Sequence, residues 1–139
     1  MKQILILTVC CIAAESAFAD CELLSMADAE LVLGPNVTDL SGEDAQFQCM
    51  FIGGAPQGTF IVQFADRSWF NQVRILEPHA AVDVGEEGRS NVDTNGVVAL
   101  QFVQGNRSAT LSVRPSSATD RDYLAALETV GKRLAERFK

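Results

Sequence analysis

The chain carries a single histidine, His79, followed closely by Asp83, Glu86 and Glu87. A histidine beside a carboxylate is the smallest kit for general acid/base work, and a cluster of such groups is what a metal ion requires. Adjacent residues in an extended chain point apart, however, and no second histidine flanks the carboxylates, so the stretch reads as a solvated acidic loop. No G-x-S-x-G elbow offers a serine nucleophile. Asn91 to Gly96, N-V-D-T-N-G, matches the first half of a calcium loop, but the twelfth position, where a bidentate carboxylate belongs, is Phe102. Gly53 to Gly58 is glycine-rich without the G-K-[ST] ending of a phosphate loop. Asn36-Val-Thr38 and Asn106-Arg-Ser108 fit the glycosylation sequon and read as chance matches beside a leader of bacterial type. The expectation is no catalytic residue, no cofactor and no metal.

Cysteine chemistry is more informative. Of four cysteines, Cys10 and Cys11 lie in an apolar leader, leaving Cys21 and Cys49. In an oxidising export compartment a lone pair is most simply a disulfide, and a loop of this length would stabilise the fold by about 3–4 kcal/mol on the chain-entropy model. Lipidation of Cys21 would need small residues ahead of it, whereas Asp20 precedes it. No C-x-x-C and no nearby Lys or His favours a redox thiol.

Residues 1–19 read as a secretory signal: Lys2 opens it, I-L-I-L-T-V-C-C-I-A-A is its apolar core, and Ala17-Phe18-Ala19 is a small-x-small cleavage site. The apolar run is shorter than the ~20 residues of a membrane span. Residues 20–139 suit one domain. Residues 20–119 hold 13 Asp/Glu against 5 Arg, or −8, and residues 120–139 hold 4 against 5 Lys/Arg, or +1, for a net −7. That balance disfavours nucleic acid and anionic lipid, which select clustered Lys/Arg; it suits a basic protein partner, or else simply keeps a small exported domain in solution.

The elements that must position these residues follow from periodicity. Ser25-Met-Ala-Asp28 resembles a capping box and Gly34-Pro35 a stop, predicting a helix over 26–33. Strand character appears around Val37. Phe47, Cys49 and Phe51 alternate with glutamine and methionine, predicting a strand over 45–52, and Phe60, Val62 and Phe64 predict another over 59–65, antiparallel to it. Segment 66–92 is expected to hold a helix or irregular turn around 68–76 and a short strand near 80–84. Residues 97–103 and 108–113 predict a hairpin across Gln104-Gly105-Asn106-Arg107. Thr119-Asp120-Arg121-Asp122 is expected to cap a last helix, with Tyr123, Leu127, Val130, Leu134 and Phe138 on its apolar stripe and Glu128, Lys132, Arg133 and Arg137 facing water.

D-C-E-L-L-S-x-A-D-A-x-x-V-L-G followed by F-Q-C-x-F resembles the opening of a large uncharacterised family of bacterial envelope proteins, domain of unknown function 3558, many of them lipoproteins. Val82-Asp-Val-Gly85-Glu86-Glu-Gly88, the Gln104-Gly105-Asn106 turn and A-L-E-T-V-G-K-R-L-A-E-R look like later motifs of that family. Asp20 departs from its usual proline, and no lipobox or Ser/Thr-rich tether precedes the domain. The resemblance implies that Cys21 pairs with Cys49 and that the fold is a PsbP-like sandwich; it carries over no catalytic residue.

The expected architecture is α+β, a twisted, mainly antiparallel sheet of about five strands with a short N-terminal helix and a C-terminal amphipathic helix packed on it. The expected function is an exported, soluble, non-catalytic binding or accessory protein of the bacterial envelope, periplasmic or secreted. Its candidate contact surface is Trp69, Phe70, Asp83, Glu86 and Glu87. Alternatives are an acidic inhibitor of a basic hydrolase such as lysozyme, or an enzyme using His79 with Glu86 or Asp83.

Overall fold

The computed structural model describes residues 21–42, 48–53, 58–72, 79–116 and 121–139. The signal pattern, Asp20, residues 45–47 of the second expected strand, residues 54–57 of the glycine-rich loop, residues 73–76 and the Thr119-Asp120 capping pair lie outside the described residues.

A 3-10 turn, Cys21–Leu23, leads into helix α1, Met26–Leu33. The Ser25 Oγ accepts from the Asp28 amide at 3.1 Å and the Asp28 carboxylate accepts from the Ser25 amide at 2.9 Å, so the expected capping box is present. Gly34 ends the helix at φ 81°, with its amide donating to the Glu30 carbonyl. Strands β1 (Thr38–Asp39), β2 (Gln48–Ile52) and β3 (Thr59–Asp66) follow. Then come helix α2 (Arg67–Gln72), strands β4 (Ala80–Val82), β5 (Glu87–Val92), β6 (Val98–Gln104) and β7 (Arg107–Arg114), and helix α3 (Tyr123–Arg137).

The strands form one antiparallel sheet in the order β1-β2-β3-β7-β6-β5-β4. The class is the expected α+β, but the sheet has seven strands rather than about five. The difference has a physical origin in β5 and β1. Along β5 the buried core-facing positions are Gly88 and Ser90, which carry no apolar signal, while Val92 on the same face is 59% exposed; Gly88 is required because a Cβ there would lie 2.8 Å from the Val84 carbonyl oxygen. β1 is two residues long and hardly interrupts the loop pattern.

One sheet face builds the core. Phe51, Phe60, Val62, Leu100, Phe102, Leu111 and Val113 pack there against Val32 and Leu33 of α1 and Tyr123, Leu127, Val130 and Leu134 of α3. Successive strand residues alternate faces, so these positions share one side by register. Gly131 brings α3 close to the sheet; a Cβ there would sit 2.9 Å from Val84 Cγ1. Phe138 stacks on Phe102 at 5.6 Å between centroids.

Two expectations about this layer change, and the expected disulfide is present. The N-cap of α3 is Asp122, whose carboxylate accepts from the Ala125 amide at 3.0 Å, and the helix begins at Tyr123. Arg133 and Arg137 do not simply face water: both reach the fully buried Asp28, at 3.1 and 2.6 Å. Burial pushes the Asp28 carboxyl up, but hydrogen bonds from Arg137, the Ser25 amide and Arg133 outweigh it and hold the group below the usual range. The Cys21–Cys49 disulfide, with Cα atoms 5.6 Å apart, ties the same N-terminal segment to β2. Among the described residues no helix is long and apolar enough to cross a membrane.

Candidate functional site

The face of the sheet opposite α1 and α3 carries helix α2. Six residues are too few for a helix that stands alone in water, so α2 depends on what holds it down. At its start, the Asp66 carboxylate accepts from the Trp69 amide at 3.3 Å and from the Ser68 hydroxyl, in the manner of an N-cap. The Ser68 and Trp69 hydrogen bonds hold the Asp66 carboxyl below its ordinary value.

Beneath the helix, Phe70 is 2% exposed and lies under the Arg89 guanidinium, whose central carbon is 4.0 Å from the ring centroid. Arg89, on β5, is itself buried; its Nε and Nη2 donate to the Gln101 Oε1 at 2.9 and 2.6 Å, and Nη2 also donates to the Phe70 carbonyl. A cation at that carbonyl near the helix end opposes the negative pole of the helix dipole, and the guanidinium face satisfies the aromatic ring. Phe70 is therefore a packing residue and drops out of the candidate contact surface.

Arg67 fixes the other flank. Its Nη1 donates to Glu86 Oε2 at 2.6 Å and to the Gly105 carbonyl at 2.8 Å, while its amide donates to the Asn106 carbonyl at 2.8 Å. Glu86 accepts in turn from the Gly105 amide at 3.0 Å. The Arg67 contact, then the Gly105 amide, lower the Glu86 pKa. Glu86 thus latches α2, the β4–β5 turn and the tip of the β6–β7 hairpin together, and its carboxylate is already engaged.

Trp69 is 41% exposed. Two residues on from Arg67, it projects about 200° further round the helix. Helix α2, which carries Trp69, packs over β3, β7 and β6. The five residues expected to form one surface differ in their surroundings: Phe70 is buried under α2, Glu86 is held by Arg67, and Trp69, Asp83 and Glu87 are exposed. His79 precedes β4 and Asp83 follows it, with the strand Ala80–Val82 between them. Among the described residues no group of three or more His, Cys, Asp or Glu is placed to hold a metal ion. The Asp93 carboxylate, inside the stretch that resembled a calcium loop, accepts from the Asn95 and Val97 amides at 2.8 and 2.9 Å and so shapes a turn.

Beside Trp69 the sheet face stays partly open. Gln63 and Ile52 are exposed, and Gln48, Met50, Ile61 and Thr110 are half-buried. Sequence reasoning missed Arg67, Arg89 and Gln101 as organisers of this site. Nothing in a charged residue between Gly88 and Ser90 distinguishes a buried arginine from a solvated one; the signal would have been Phe70, an apolar residue on a short segment that needs a cover.

No family model matches the chain, and neither a curated protein nor a solved structure matches it.

Proposed function

We propose that this chain is an exported, non-catalytic binding or accessory protein of the bacterial cell envelope, making contact through Trp69 and the open part of the sheet beside it. The observation that carries the reading is the 41% exposure of Trp69, the chain's only tryptophan, on a helix that Arg89, Phe70 and the Arg67–Glu86 pair pin to the sheet. A large aromatic held rigid at the surface loses little conformational entropy on binding, which is why tryptophan is enriched at contact hot spots. Export is supported by the signal pattern of residues 1–19, by the Cys21–Cys49 disulfide and by the resemblance to bacterial envelope proteins.

The test is a photo-activated crosslinking residue placed at position 69 and, as control, at position 128 on α3, in the exporting cell. A defined adduct from position 69 that is absent from position 128 is expected. No adduct, or the same adducts from both positions, would contradict the reading.

A further inference from the structure

The register of the open face makes a pattern that no single strand shows. Gln48 pairs with Gln63, and Gln63 with Thr110, so an amide, an amide and a hydroxyl stand in a row across β2, β3 and β7. Alongside it runs the apolar pair Met50 and Ile61. Neighbouring strands lie ~4.8 Å apart, which sets the repeat of the row. Trp69 projects from α2 on the same side. In a chain of formal net charge −7 these three side chains carry no charge; the row continues in register through Gln101 of β6 to Arg89 of β5, both buried, and the charged residues of β7 stand at its ends, Arg107 and Arg114.

We propose that this row binds a neutral, hydroxyl-rich glycan strand lying across β2, β3 and β7, with one sugar ring stacked on Trp69; the proposal rests on the reading of this face as the contact surface. Glutamine amides offer both donors and acceptors, and threonine adds a group that does either; sugar hydroxyls have the same double capacity. A pyranose residue is about as long as the ~4.8 Å strand spacing, so successive sugars meet successive polar side chains. The apolar C–H face of a sugar suits the indole and the Met50–Ile61 pair. Charge decides against the competing ligands. Nucleic acid and anionic lipid need clustered cations, a basic protein would seek carboxylates such as the exposed Asp83 and Glu87 at the β4–β5 turn, and an extended peptide that adds to a sheet does so at an edge, not on a face.

The probes are chitohexaose and cellohexaose, read by Trp69 emission and by titration calorimetry on the exported chain. Saturable binding to at least one is expected, nearly unchanged between about 50 and 500 mM NaCl because no ion pair forms. Trp69→Ala and Gln63→Ala should each weaken it by about tenfold or more. Gln63 is exposed, so its truncation leaves the fold intact, and Thr110→Val gives a second, shape-conserving variant with the same expected direction. No binding to either glycan, strong salt dependence, or indifference to Gln63→Ala and Thr110→Val would overturn the proposal. A protein adduct at position 69 with no glycan binding would overturn the glycan while leaving the contact surface standing.

Discussion

Replacing Asp28 by asparagine keeps the shape of the side chain and removes its charge. The carboxylate is fully buried and accepts from Arg137 at 2.6 Å, Arg133 at 3.1 Å and the Ser25 amide at 2.9 Å. Hydrogen bonds to a charged group contribute roughly 1.5–3 kcal/mol each, and breaking a buried ion pair by removing one partner costs about 3–5 kcal/mol. Arg133 and Arg137 are 46% and 35% exposed and recover water when released, which puts the expected loss near the lower end, about 3 kcal/mol. Arg133→Ala and Arg137→Ala should each cost less, about 1 kcal/mol, since the other arginine still compensates the carboxylate. Urea unfolding followed by circular dichroism reads the loss as a midpoint about 1.5 M lower with an unchanged slope. The pH dependence carries an independent signature. The Asp28 pKa is lowered on folding, so its contribution is complete above the unfolded value of about 3.9 and is lost as pH falls through the folded value. The wild-type chain should therefore lose stability below about pH 4 more steeply than Asp28→Asn. A variant within about 0.5 kcal/mol of wild type, with the same acid profile, would refute the account of Asp28 as the tie between α1 and α3.

Three further outcomes are expected. Cys49→Ser should destabilise the chain by about 3.6 kcal/mol on the chain-entropy model for its 28-residue separation, and non-reducing mass spectrometry should find the exported protein two hydrogens lighter than its reduced form; a free thiol or an acylated Cys21 would contradict this. Gly58 and Gly96 both have positive φ, 88° and 80°, but a Cβ at 58 would lie 2.0 Å from the Arg114 carbonyl oxygen whereas nothing lies within 4 Å at 96. Gly96→Ala should then cost about 1 kcal/mol and Gly58→Ala severely disrupt the β3–β7 pairing, readable as thermal midpoints; equal costs would count against the close approach. Arg89→Met should release α2 while sparing the main core, raising backbone hydrogen exchange in 67–72 before that of β6 and β7; uniform protection would show that Arg89 does not hold the helix.

How far the sequence could be read depended on whether each element had a neighbour in the same apolar pattern. α1 was bounded correctly because Ser25, Asp28 and Gly34 make local contacts that need no tertiary context. The hairpin at Gly105-Asn106 and the stripe of α3 were visible for the same reason, through alternation and three-to-four spacing. β5 was hidden because the buried residues of its core side are Gly88 and Ser90 and those of its other side Arg89 and Asn91, with its one valine, Val92, at the exposed end. Polar residues at buried positions reverse the pattern on which a strand is recognised. The candidate site was legible only in part. Trp69 and Phe70 are adjacent and equally apolar, and a helix of six residues has no repeating period to say which one is covered. Glu86 looked like a free carboxylate because its partners, Arg67 and Gly105, are 19 residues away on either side.

The central claim is that Trp69 stands rigid and uncovered on the face opposite α1 and α3. As the only tryptophan, it reports alone in a fluorescence measurement. Acrylamide quenching combined with anisotropy on the folded, exported protein should show an indole quenched at roughly half the rate of the urea-unfolded chain, in keeping with its 41% exposure, yet immobilised with the whole molecule. A shielded, blue-shifted emission that acrylamide hardly reaches would contradict the account.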